Sequence, residues 1–396
     1  MAIDLTGGID RARQYMFAEP PDNPEMRDSV SFWVFDDRGR VGLPRIGIEA
    51  VAANWDAHGL QVNLAFPDGR VHRLRQDAAS WPVAGADGKP MTLGAGPLAF
   101  TCVEPFNVWT MTFDGQAVQT SSAHLVAGRK DGPLVDLQFE VEAKLAVPPW
   151  MQGALQADAS PALTTSIEGD LMGGPRHEQL FAATGAVRVG GTELAFTCSG
   201  LRIRRQGVRK LEGFWGHCWQ SALFCSGRAF GYIAYPPRPD GQPTFNEGYL
   251  FDGDGELIGA RVVEAPWLLT RLQPLGEDVS VVLETADGTV RIEGETVVST
   301  HDTTDPSEVP ADQLAKLANW TFPALQQAGV RYRWDGEETY GMLERSIPMD
   351  KIERQYLSSV ISTCSTGSAH GRAAGWSAGS RGCRGIRSAS RTATAG

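Results

Sequence analysis

Residues 279–295, VSVVLETADGTVRIEGE, decide the fold. Apolar and polar residues alternate on both sides of Asp287-Gly288, the pattern of two half-buried strands joined by a tight turn. Asp-Gly accepts the positive φ angles that two-residue hairpin turns demand. The same pattern recurs outward along the chain, in VSFWVFDDRGRVGLPRIGI at 30–48, LQVNLAFPDGRVHRL at 60–74 and AVRVGGTELAF at 186–196. Nine Asp-Gly dipeptides, from Asp68 to Asp335, punctuate the sequence, so antiparallel meanders are expected along most of its length. The expected class is all-β, with strands curled into antiparallel barrels.

One internal helix is expected. Asp305-Pro306-Ser307 supplies a start, Leu314, Leu317, Trp320 and Thr321 share one face, Pro323 should break or kink the run, and Gly329 should end it. This places a helix near 311–328. The strand pattern is diluted by Pro, Gly and small polar residues across 146–175, which suggests a break there. The expected organisation is an N-terminal extension at 1–24, a first β-barrel domain at 25–160, a second at 161–350 and a disordered tail at 351–396. From Ser358 onward the chain is rich in Gly, Ala, Ser, Thr and Arg and carries no acid, too little apolar surface to offset its ordering entropy. An out-of-frame terminus is one reading of it, which the nucleotide sequence would settle.

The 396 residues carry a net charge of −11, which argues against nucleic acid or an anionic membrane as partner, since phosphate binding needs clustered cations. The dense basic run Arg202, Arg204, Arg205, Arg209 and Lys210 reads as a solvated strand face or a ladder of ion pairs. No stretch approaches the roughly 18–20 apolar residues of a membrane helix, and the N-terminus has no apolar core of signal-peptide length. A cytoplasmic protein without an integral membrane segment is expected. Cys102, Cys198, Cys218 and Cys225 lie in strand-like segments and read as buried free thiols, while Cys364 and Cys383 lie in the tail. No C-x-x-C pair or Walker A loop occurs, and His177-Glu178 and His301-Asp302 lack metal-site spacing, so neither a metal nor a cofactor is expected.

At 177–196 HEQLFAATGAVRVGGTELAF, then GLRIRRQGVR and FWGHCWQSALF, resemble the second half of the AttH and carotenoid 1,2-hydratase family, which includes kievitone-hydratase-like and lipocalin-like Diels–Alderase proteins. FWVFDDRGRVGLPRIGIEA at 32–50 and YGMLERS at 340–346 extend the resemblance to about residues 25–350. It implies two consecutive calycin-like barrels. Terpenoid-directed members carry a D-H-x-W-G-x-R stretch. Here Gly207 and Arg209 match it, while Ile203, Arg204 and Gln206 hold the Asp, His and Trp positions.

Hydration or isomerisation of an alkene needs a proton donor, a base and a wall that tolerates a cation. Trp215, His217 and Trp219 share one face of an alternating strand. His217 is the candidate proton shuttle, Glu247 or Glu178 its carboxylate partner, and Trp215 with Trp219 the aromatic wall; Arg204, Gln206, Asn246 and Tyr249 are further candidate substrate contacts. Each has a structural alternative: a satisfied core histidine, barrel-filling tryptophans, ion-paired rim carboxylates. The resemblance implies a cofactor-independent hydratase, dehydratase, isomerase or cyclase, that is, a carbon–oxygen lyase or isomerase. Its substrate would be a hydrophobic terpenoid, steroid-like or polyketide molecule held in a β-barrel cavity. The competing reading is a non-catalytic carrier of such a ligand. A homodimer is left open.

Overall fold

The computed structural model describes residues 3–85, 88–156, 176–208, 216–237, 241, 244–303 and 323–353. Strands Met26–Asp36 (β1), Gly42–Val51 (β2), Ala57–Ala65 (β3), Arg70–Ala79 (β4), Thr92–Ala95 (β5), Leu98–Glu104 (β6), Val108–Ser121 (β7), Leu134–Leu145 (β8), Trp150–Met151 (β9), Arg176–Val189 (β10) and Thr192–Val208 (β11) form one antiparallel sheet. Its order is β4-β3-β2-β1-β11-β10-β8-β7-β6-β5, with β9 beside β10. Pairing of β4 with β7, from Arg70 opposite Ser121 to Arg73 opposite Val118, returns the sheet on itself. Strands His217–Leu223 (β12), Ala229–Ala234 (β13), Asn246–Phe251 (β14), Ile258–Glu264 (β15), Val281–Thr285 (β16), Gly288–Asp302 (β17), Pro323–Trp334 (β18) and Glu337–Pro348 (β19) form a closed barrel in chain order. All four expected hairpins are present, as β1–β2, β3–β4, β10–β11 and β16–β17.

Several expectations need correction. Residues 323–328 of the expected helix open β18 and pair with β19 along its length; residues 311–322 lie outside the described residues. Ala328, Val330 and Tyr332 carry a two-residue period into the barrel core, and strand pairing overrides the local helical spacing. Pro323 is the first residue of the strand, a position where a missing N–H is tolerated. The sheets also part elsewhere than near residue 160: β10 and β11 pair with β8 and β1, so residues 176–208 belong to the first sheet. Finally, Arg202, Arg204 and Arg205 are buried rather than solvated. Of the four strand-region cysteines, Cys102, Cys198 and Cys218 are buried free thiols, whereas Cys225 is exposed in the turn after β12 and is disulfide-bonded. The expected tail lies almost wholly outside the described residues. No described helix is long and apolar enough to cross a membrane.

Alternation along the strands sorts the core into three layers. Phe32 and Val34 of β1 face the interior of the first sheet, and Trp33 and Phe35 face away from it. Cys218 and Ala222 of β12 face the interior of the second barrel, and Trp219 and Leu223 face outward. The outward sets meet, so a third apolar layer, including Leu201, Tyr249, Phe251, Val298 and Met342, lies between the two sheets. Every residue of β12 and β13 is therefore buried. Strands covered on both faces lose the clean alternation of a half-exposed sheet.

Both interiors are packed by their own side chains among the described residues. Phe32 stacks on Phe100 at 5.3 Å between centroids in the first, and Phe230 meets Tyr332 at 5.0 Å in the second. An empty space of about 170 Å³ between Val34, Val41, Leu64 and Phe196 is well short of the roughly 300–1,000 Å³ of ligand pockets.

Close approach of the two sheets depends on glycine. A Cβ at Gly329 in β18 would lie 2.6 Å from the Phe35 ring and 2.7 Å from Val298 Cγ2. Gly329→Ala should therefore overpack the layer between the sheets and lower unfolding free energy by about 1–3 kcal/mol. Urea denaturation checks this, and an unchanged midpoint would refute the packing assignment.

Candidate active site in the seam between the sheets

Trp33 of β1 and Trp219 of β12 meet edge to face, with centroids 4.9 Å apart. Each ring carries a guanidinium on one face: Arg45 lies 5.1 Å from the Trp33 centroid and Arg176 lies 4.7 Å from that of Trp219. Each arginine in turn bonds a carboxylate, Arg45 to Glu344 and Arg176 to Glu178. Two buried carboxyl groups thus flank one indole pair.

Glu178 projects from β10 into the seam because its neighbours His177 and Gln179 point to the other face. Its Oε2 accepts from Trp219 Nε1 at 3.1 Å, and its Oε1 accepts from Gln152 Nε2 at 2.9 Å and from Arg176. Burial pushes its carboxyl above the ordinary range, against the pull of Arg176, Trp219 and Arg205. Desolvation and the nearby Glu178 raise the hydroxyl pKa of Tyr249.

Glu344 behaves oppositely. Burial again raises its pKa, but Arg45, His217 and Gln327 together outweigh burial and hold it well below the ordinary range. Arg45 donates to Oε2 at 3.3 Å and Gln327 Nε2 donates to the same oxygen at 2.6 Å. Arg45 adopts a left-handed backbone, φ +66°, where the register of β2 against β3 shifts. Asn63 Nδ2 props that bend by donating to Pro44 O at 2.9 Å. Such a conformation persists only where surrounding structure imposes it.

His217 of β12 sits opposite Ser346 of β19. Its Nδ1 is 2.7 Å from Ser346 Oγ and its Nε2 is 3.3 Å from Glu344 Oε1, while Ser346 Oγ accepts from the His217 backbone N–H at 3.2 Å. With Glu344 ionised, Nε2 carries the proton that is donated to the carboxylate. Ser346, His217 and Glu344 form one buried hydrogen-bonded chain.

Glu247 of β14 has a different task. It accepts from Trp150 Nε1 at 2.8 Å and from the backbone N–H groups of Gly153, Leu155 and Gln156 at 2.7, 3.2 and 3.0 Å. Burial nonetheless raises its pKa against these four bonds. The carboxyl pins residues 150–156, and with them the Gln152 amide that bonds Glu178. Trp150 packs on Tyr249 at 5.5 Å between centroids.

The seam therefore gathers Glu178, His217, Trp219, Tyr249 and Glu247. Trp215 lies outside the described residues. Asn246 bonds Val262 through both its oxygen and its nitrogen, continuing the β14–β15 pairing by side chain. Arg204 and Gln206 point into the first sheet, where Arg204 pairs with Asp28 and both bond Tyr15 O. One face of Trp219 is covered by Arg176, so the cation-facing wall expected of that ring is already engaged. Glu344, Ser346, Trp33 and Arg45 were not singled out as site residues from the sequence. All four stand within the two stretches that carry the resemblance, FWVFDDRGRVGLPRIGIEA and YGMLERS.

These features define an antiparallel β protein of two sheets, one of them a closed barrel, with a buried polar seam between them. The chain belongs to the family described as domain of unknown function DUF7064, whose model matches residues 12–348. Its fold is similar to that of a protein described as an AttH from Nitrosomonas europaea, at 13% identity and TM-score 0.50, covering 81% of this chain and 91% of that one. Also similar are CghA (11% identity, TM-score 0.47, 85% and 97% covered) and kievitone hydratase from Nectria haematococca (10%, 0.45, 87% and 96%). No curated protein matches the chain significantly.

The depressed pKa of Glu344 fixes a sign. A carboxylate whose folded pKa lies below its unfolded value adds stability that is complete above the unfolded value, near 4.5, and is lost as pH falls further. Glu344→Gln should cost about 1.5–3 kcal/mol at pH 7, where charge-assisted bonds to Arg45 and His217 are lost. The gap between wild type and variant should narrow steadily as pH falls from about 4.5 to about 3 in denaturant titrations. Parallel curves across that range would show that Glu344 is not ionised by its neighbours.

Proposed function

We propose that the seam carries out cofactor-independent proton transfer on a hydrophobic substrate of terpenoid, steroid-like or polyketide class, as a hydratase, dehydratase, isomerase or cyclase. The observation that carries this reading is the opposite shift of two buried carboxyl groups on either flank of one tryptophan pair. Environments that drive two titratable groups apart assign an acid and a base. Glu178, held toward its protonated form, is the proton donor. Ionised Glu344, coupled to His217, is the base. Glu247 is a positioning residue that acts through the 150–156 segment, and Tyr249 lines the acid.

In a dehydration, Glu178 gives its proton to the departing hydroxyl as the carbon–oxygen bond breaks. The Glu344–His217 pair takes a proton from the adjacent carbon, leaving an alkene and water. Hydration is the reverse. The seam is lined by apolar side chains, so the substrate must contribute apolar surface to match them.

The test is incubation of the full chain with a panel of terpenoid and polyketide alcohols and alkenes in deuterium oxide, with product deuterium read by mass spectrometry. Wild type should convert an alkene to a carbon-deuterated alcohol or an alcohol to its alkene, and Glu178→Gln should slow this by about 10²–10⁴-fold while retaining binding of the same compound. A non-catalytic carrier would bind without exchange. Full activity in Glu178→Gln would refute the assignment of the acid.

A further inference from the structure

The interior of the first sheet holds a second buried polar cluster, on the face of β11 opposite the seam. Arg202 is wholly buried, its guanidinium 5.0 Å from the Trp109 centroid. Its terminal nitrogens donate to two neutral amide oxygens, Gln14 Oε1 and Gln179 Oε1, the latter at 2.6 Å. Arg202 Nε has no acceptor, and neither has the buried Nε1 of Trp109 beside it. The carboxylate of this cluster, Asp28, is engaged by Arg204, by Gln206 and by the Phe17 N–H. Among the described residues no acid pairs with Arg202.

A buried cation satisfied only by amides, next to a second donor with no partner, is an expensive arrangement. Burial, with Arg204 nearby, pushes the Arg202 pKa down to about 9. A carboxylate would give this cation the charged acceptor it lacks, since its two oxygens match the guanidinium fork.

The acceptor that stands in for such a group comes from the N-terminal segment. Residues Arg11–Gln14 form a short 3₁₀ turn, and the following residues run into the first sheet. Gln14 is fully buried; its Nε2 donates to His177 Nε2 at 2.8 Å. That direction is consistent because burial, with Arg202, Arg204 and Arg13 nearby, holds His177 neutral. Two residues on, Met16 inserts among the apolar side chains of the first core. Gln14 thus presents a polar oxygen to Arg202 while Met16 fills the adjoining apolar space with a flexible, readily displaced side chain.

We propose that the inner end of the first sheet is a binding site for a small apolar carboxylate, anchored by Arg202 and at present occupied by the Gln14–Met16 segment of the chain itself. The site is separate from the seam. It lies on the other face of β11, and its occupant needs no proton transfer.

Isothermal titration of the full chain with octanoate, and in parallel with octan-1-ol, tests the proposal. Octanoate should bind about ten-fold or more tightly than the alcohol, the difference a charge-assisted bond makes. Gln14→Ala, which removes the competing amide, should tighten octanoate by about three-fold or more with little change for octan-1-ol. Arg202→Gln should erase the preference, and Arg202→Lys should keep part of it. Equal affinities for the two probes, or an octanoate affinity that Gln14→Ala leaves unchanged, would overturn the site. If circular dichroism shows that Arg202→Gln does not fold, the Gln14→Ala comparison decides by itself.

Discussion

The edge-to-face contact of Trp33 and Trp219 is the point on which the two sheets depend. Each indole leaves its own sheet on the outward face and is buried only because the other sheet is there. An aromatic pair of this kind adds about 0.5–1.5 kcal/mol beyond the area it removes from water, and the surrounding leucines, valines and phenylalanines add the larger share. Neither outward face could stay in water without exposing a broad apolar patch. The sheets are therefore obligate partners, and glycines at positions such as 329 are what let Phe35 bring them together.

Burying that contact also creates the electrostatics. The arginines that cover the indole faces are drawn out of water with them, and each has a glutamate as partner. The two pairs differ in how fully the anion is compensated. Glu344 collects Arg45, Gln327 and His217, and its charge is stabilised despite burial. Glu178 has Arg176, one amide and one indole N–H, and desolvation prevails. A small imbalance in partners thus shifts two carboxyl groups in opposite directions within one apolar layer.

Much of this was legible in the chain. The hairpins follow from two-residue alternation and Asp-Gly or Gly-Gly turns, signals that depend on neighbours in sequence. Gly190 and Gly191 both adopt positive φ, as the β10–β11 turn requires. The reading failed where long-range contacts decide. Residues 323–328 look helical in isolation, but they are held by β17 and β19. Arg202 and Arg204 look like a solvated face, because nothing in their own segment announces that residues 11–17, nearly two hundred positions earlier, will cover them. His217, Glu178 and Glu247 drew attention as polar groups in aromatic surroundings. Their separate tasks depend on partners supplied by other strands.

By itself, then, the sequence determined that this protein is built of antiparallel strands and where most of its turns lie. Those properties are local, set by alternation, by turn chemistry and by side-chain type. Only the tertiary structure decided that β10 and β11 complete the first sheet and that Glu178, Glu344 and His217 gather between the sheets rather than inside either one. A strand's pattern states that its two faces differ, but which face meets another sheet, and which carboxyl group finds a cation there, is settled by pairings far apart in the chain.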